Sequence, residues 1–175
     1  MQTVKRGLFR HLVMFKTLLT TTAALALVAG LVAVSYAQSP GDLAIVAHPE
    51  TPVAQMSLAE LRQVMKGDRQ YWKPDLPVVL FVRAATSEER TAVLGVIYQM
   101  SEPQFNQYWI AKQFRAESTS APTKLNSNAL TQQFVSSTPG AIGFMAARDV
   151  KPGVKILKID GASPGEPSYR LHLTK

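Results

Sequence analysis

Two hydrophobic rhythms alternate along this chain. Leu43-Ala44-Ile45-Val46-Ala47 and Val78-Val79-Leu80-Phe81-Val82 are short, unbroken apolar runs. The first ends at His48-Pro49 and the second follows Pro74 and Pro77, so both predict buried strands, over 42–47 and 78–82. Between and after them the spacing changes to three and four. Leu58, Leu61, Val64 and Met65 share one face of a helix that the capping box Ser57-Leu58-Ala59-Glu60 opens and Gly67 closes, while Glu50 to Met56 reads as a loop. A second cap signal, Thr86-Ser87-Glu88-Glu89, precedes a helix whose inner face is Val93, Val96, Ile97 and Met100. Ser101-Glu102-Pro103-Gln104 caps a third helix carrying Phe105, Tyr108 and Trp109, with Pro103 suited to its first turn. Residues 115–127 turn polar and predict a long loop, and a fourth helix runs over 128–136 to the stop Thr138-Pro139-Gly140. Residues 141–145 predict a short strand. The segments 154–159 and 168–173 alternate apolar with polar positions around a Gly and Pro cluster, which predicts a hairpin or a returning edge strand. Strands alternating with helices predict a three-layer α/β domain, with no internal repeat and no charge block.

The N-terminal stretch follows neither rhythm. Lys5, Arg6, Arg10 and Lys16 lead into an apolar run from Ala23 to Val34, followed by Ser35-Tyr36-Ala37 and then Gln38. This is the form of a secretory signal with cleavage after Ala37, and the apolar core is short for a bilayer span. A second start at Met14 would keep the same destination. The expectation is a signal peptide over 1–37 and one domain over 38–175, released to the periplasm or beyond with no membrane insertion after cleavage. The 138 residues left are a usual size for one hydrophobic core.

Removing that leader changes the charge. The whole chain carries 19 Lys and Arg against 12 Asp and Glu, and the leader holds four of the bases and none of the acids, so the remainder is 15 against 12, a net +3. A polyanion partner loses its support, and no nucleic-acid role is expected. The absence of cysteine excludes disulfides, thiolate catalysis, thiolate metal sites and a lipid-bearing N-terminal Cys.

Few side chains offer chemistry. Past the leader the histidines are His48 and His172 alone, too few for a metal site, so none is expected despite His48-Pro49-Glu50. Trp72, Tyr108 and Trp109 are able to stack on a ligand, yet Tyr108 and Trp109 lie on the apolar face of a helix and read as core. No Ser/His/Asp set and no glycine-rich phosphate loop stands in a catalytic context, so catalytic residues and cofactors are both expected to be none.

The ordered series of pieces resembles the phosphate-type periplasmic solute-binding proteins of ABC importers. The matching pieces are Ile45-Val46-Ala47-His48-Pro49, Ser57-Leu58-Ala59-Glu60-Leu61, Met65-Lys66-Gly67 and Trp72. A strand ending in Arg83, then Tyr108-Trp109, Phe114, Pro122 and Thr138-Pro139-Gly140-Ala141-Ile142-Gly143-Phe144 continue it, and Ile159-Asp160-Gly161 and Tyr169-Arg170-Leu171 close it. The resemblance implies a periplasmic-binding-protein-like (type II) α/β fold with a small mixed sheet, as a single truncated lobe plus the crossover strand. The family's first strand, its Gly- and Ser-rich anion loop and the helix behind it have no counterpart here.

It also implies a function. The family holds an oxyanion at an Arg-x-x-x-Ser-Gly-Thr turn between strand and helix, where guanidinium, hydroxyls and helix amides converge. Arg83 and Ser87 match that element and Thr86 adds a hydroxyl, making these three the implied anion-binding residues; the implied ligand is a small oxyanion, phosphate first, delivered to an ABC permease or a sensor. Glu88 and Glu89 stand where the family has Gly and Thr, and carboxylates there suit a helix start better than an anion. The alternative is therefore a protein–protein interaction module of the envelope that has lost its ligand, with Thr86, Glu88 and Glu89 capping the helix and Arg83 paired to a glutamate. Its contact surfaces would be residues 115–127 and the edge near Lys155 and Lys158.

Overall fold

The structure, a computed structural model, describes residues 41–117 and 121–173. The chain divides into two units, Met1–Ser35 and Tyr36–Lys175; the first unit, and all of the expected signal segment over 1–37 with its cleavage site, lie outside the described residues. Among the described residues no helix is long and apolar enough to cross a membrane.

A five-stranded mixed sheet organises the second unit. Strand β1 (Leu43–Ala47) is buried at every position, because its two faces point into two different cores. Leu43, Ile45 and Ala47 enter the larger core, Ala44 and Val46 the smaller, so an unbroken apolar run is what a strand covered on both sides requires. Its neighbours are β7 (Ala141–Ala146) on one edge and β8 (Lys155–Ile156) on the other, both antiparallel. Beyond β7 lie β5 (Val79–Arg83) and β6 (Thr123–Leu125), each parallel to the strand before it, giving the order β6-β5-β7-β1-β8.

Three helices cover one face. They are α1 (Leu58–Met65), α2 (Glu88–Val93), which continues as a wider π turn over Leu94–Tyr98, and α3 (Glu102–Phe114). Leu61, Val64, Met65, Val93, Ile97, Tyr98, Phe105 and Trp109 supply the larger core from this side. Helix α4 (Asn128–Ser137) covers the other face and adds Val135 to the smaller core. The expected three-layer arrangement is thus present, as a small mixed sheet between helices.

Each of these four helices begins on a serine cap. Ser57 and Ser101 form full capping boxes with Glu60 and Gln104, while Ser87 and Ser127 accept from the amides of Arg90 and Leu130. The Pro74–Pro77 turn belongs to a hairpin of β3 (Tyr71–Lys73) and β4 (Leu76–Pro77). That hairpin is fastened to the start of β7: Trp72 donates its indole N–H to the Gly140 carbonyl at 2.8 Å, and Gly140 sits so close that a Cβ there would lie 2.1 Å from the Pro77 oxygen. Its φ of +77° adds a second demand for glycine.

Three expectations need correction. The polar stretch 115–127 is not loop throughout, since Thr123–Leu125 pairs with Phe81–Arg83 as β6; three residues held by backbone pairing need no side-chain period. The presumed loop 50–56 likewise ends in β2 (Gln55–Met56), parallel to β9 (Lys158–Ile159). The segments 154–159 and 168–173 form no hairpin with each other. The first is split between β8 on β1 and β9 on β2, around the buried Leu157. The second returns along the start of β1, where Leu43 donates to the Leu171 carbonyl and Leu173 to that of Gly41. The second helix also departs from a regular period, for its last five residues widen into the π turn; Tyr98 then donates its hydroxyl to the Met65 carbonyl and Arg62 its guanidinium to that of Val96.

Candidate functional site

Arg83 is the last residue of β5, placed where the strand leaves the sheet and the chain turns into α2. The turn is closed by two backbone bonds, Ala84 N–H to the Leu125 carbonyl and Ser87 N–H to that of Ala84. Arg83, Thr86 and Ser87 are therefore gathered at one corner. Thr86 is exposed, Ser87 is half-buried with its hydroxyl accepting from the Arg90 amide, and Arg83 is buried.

The guanidinium is already engaged on two sides. One terminal nitrogen donates to the Leu125 carbonyl at 2.9 Å. Its Nε lies 3.7 Å from Glu89 Oε2, an ion pair in which the two side chains are only 8% and 9% exposed. That separation is too long for a hydrogen bond, and the buried Nε has no hydrogen-bond partner. Glu89 places its bond elsewhere, accepting from the side-chain amide of Asn128 at 2.8 Å, and the same amide donates to Asp149 at 2.7 Å. Glu88, one residue earlier, points to solvent.

At the corner the Arg83 guanidinium faces Glu89, Asn128 links Glu89 to Asp149, and Glu88 stands exposed in the same first turn of α2. The carboxylates in the first turn of α2 complement the helix dipole. Sequence reasoning did not single out Asn128 or Asp149; nothing in the spacing of Asp149, in a short 3-10 turn after β7, links it to Arg83. Glu89 did carry a signal, since it lies four and seven positions ahead of Val93 and Val96 on the buried face.

The remaining candidates serve the fold. Trp72 is tied to Gly140, Trp109 is buried, and Tyr108 donates to the Lys66 carbonyl, its hydroxyl raised in pKa mainly by burial. His48 accepts from the Glu50 amide, and among the described residues no three metal-ligating side chains come together. A cavity of about 300 Å³ lined by Tyr71, Val79 and Trp109 lies toward the start of β5, the opposite end from Arg83.

No family model matches the chain. Its structure is similar to an ABC-type phosphate transport receptor from Vibrio cholerae, with a TM-score of 0.57 and 22% identity over 71% of this chain and 48% of that one. A Clostridium perfringens protein solved with bound phosphate gives 0.58 and 20% over 71% and 47%. PstS from Borrelia burgdorferi gives 0.54 and 20% over 71% and 49%. The chain shares its fold with these proteins and spans about half of their length.

Proposed function

We propose that the protein is a solute-binding module of the cell envelope that takes a small oxyanion, phosphate first, at the corner made by Arg83, Thr86 and Ser87. The observation that carries this reading is the Nε of Arg83, a buried cationic donor without a hydrogen-bond partner at the end of a parallel strand. Buried donors on Arg62, Arg90 and Trp109 are also unpartnered, and that of Arg83 is the one placed at the strand-to-helix turn that carries Thr86 and Ser87, where an acceptor from outside would satisfy it. A tetrahedral oxyanion suits it, since one oxygen can take the guanidinium hydrogen while others accept from the hydroxyls of Thr86 and Ser87. The fold shared with phosphate receptors supports the same ligand class. Under this reading the signal segment delivers the domain to the periplasm, where it serves an ABC permease or a sensor and performs no catalysis.

Calorimetric titration of the exported protein with phosphate and then sulfate, at low salt and after refolding to strip ligand, tests the reading. Micromolar binding that Arg83→Ala abolishes, with the fold kept, is the expected result; equal binding by wild type and variant would remove the site. A second reading, the ligand-free interaction module, is favoured by one observation, the carboxylate of Glu89 set against the same guanidinium. A well-folded sample that binds neither anion removes the oxyanion reading and favours the second, which a protein partner must then demonstrate.

A further inference from the structure

We infer that Glu89 sets what the Arg83 corner accepts, acting as an internal carboxylate that a ligand must displace. This rests on the oxyanion reading above and specifies how that site is controlled.

The case begins with two ion pairs whose partners include successive residues of α2. Arg90 and Glu102 meet through two hydrogen bonds of 2.9 Å each. Arg83 and Glu89 meet at 3.7 Å with no hydrogen bond between them. The first pair is joined by two direct hydrogen bonds and is structural. The second is held by charge alone: Glu89 Oε1 accepts from Asn128, whose amide is shared with Asp149, while Oε2 faces Arg83 Nε at 3.7 Å, beyond hydrogen-bond reach. An anion entering the corner can therefore offer Arg83 Nε the hydrogen bond that Glu89 does not make. Glu89 would keep its bond to Asn128 as it yields, so its departure breaks no hydrogen bond to Arg83. What opposes entry is repulsion between the anion and a buried carboxylate, which is a matter of charge and not of volume. The corner should discriminate against anions in its native form and bind them tightly once that charge is removed.

Glu89→Gln keeps the volume and the Asn128 contact while removing the charge. Its phosphate affinity, measured by calorimetry on the exported protein, is expected to exceed wild type by about a hundredfold, the scale set by one like charge a few ångströms from a bound anion at a part-buried site. Glu89→Asp keeps the charge and should show no gain. Adding Arg83→Ala to Glu89→Gln should abolish binding. Because Glu89→Gln leaves a buried guanidinium without its counter-charge, near-UV circular dichroism and a thermal scan with and without phosphate accompany each titration, and Glu89→Ala provides a second charge-free variant. Phosphate should raise the melting temperature of both charge-free variants more than that of wild type. Arg83-dependent binding no tighter in either charge-free variant than in wild type overturns the role of Glu89 and leaves the oxyanion reading standing. Folded variants that all fail to bind phosphate overturn the oxyanion reading, and the role of Glu89 with it.

Discussion

Replacing Glu102 by Gln is expected to cost about 2 kcal/mol of stability near neutral pH and far less in acid. Arg90 is 1% exposed and lies 3.9 Å over the ring of Phe105, so its guanidinium has little access to water. Two of its nitrogens donate to the carboxylate of Glu102, and the buried Nη1 has no other partner. Breaking a buried pair costs about 3–5 kcal/mol and an exposed one less than about 1. Glu102 is 28% exposed, and an amide retains one acceptor for Arg90, which places the loss between those limits. The Arg90 hydrogen bonds hold the Glu102 carboxyl below its ordinary pKa, against an opposing effect of burial. A carboxylate whose folded pKa is depressed stabilises the fold above its unfolded value, and the contribution fades as pH falls through the folded value. Urea unfolding of wild type and Glu102→Gln, followed by tryptophan fluorescence at about pH 7 and about pH 3, measures the difference, and titrations common to both proteins cancel in it. A difference that stays the same at both pH values would show that packing at the start of α3, and not the charged pair, accounts for the loss.

Gly140→Ala should cost at least about 3 kcal/mol or prevent folding, because the new Cβ meets the Pro77 carbonyl and the backbone stays left-handed; an unchanged melting temperature would refute the close approach. Tyr98→Phe should cost about 1–2 kcal/mol by leaving the Met65 carbonyl without its donor, measured by chemical unfolding. Burial raises the Tyr98 pKa, so the unfolded chain loses this proton first and the wild-type hydroxyl's contribution declines as pH climbs past the ordinary tyrosine range. The phenylalanine variant should lack that part of the alkaline decline.

What was legible in the chain was whatever repeats at a fixed spacing or sits at a cap. The serine caps name their own helices because the hydroxyl and the third residue after it bond locally. Strand β1 is legible because both its faces are buried, so five successive apolar residues suffice. Strand β6 is not, since Thr123 and Lys124 are exposed and only the backbone of β5 recruits them. The alternation at 154–159 was read correctly as extended chain, but the hairpin option gave it the wrong partner, because Lys158 marks solvent, half-buried Lys155 donates to the Thr51 carbonyl, and neither says which strand lies beside it. The π turn had no local signal at all. It is accompanied by bonds from Arg62 and Tyr98 to carbonyls distant in sequence.

The corner at Arg83 shows the same limit in its sharpest form, because two adjacent glutamates of equal composition take opposite roles. A step of one residue turns a helix by about 100°, enough to carry Glu88 into solvent while Glu89 falls in line with Val93 and Val96 toward the sheet. Read as a cap signal, both simply favour the helix dipole. Read by helical phase, only Glu89 reaches Arg83, and its buried charge can affect an anion at that corner far more strongly than the screened charge of Glu88. Removing Glu88 should therefore leave anion affinity nearly unchanged where removing Glu89 raises it. A receptor and an interaction module built on this fold differ at this corner in whether the carboxylate of Glu89 yields to an anion.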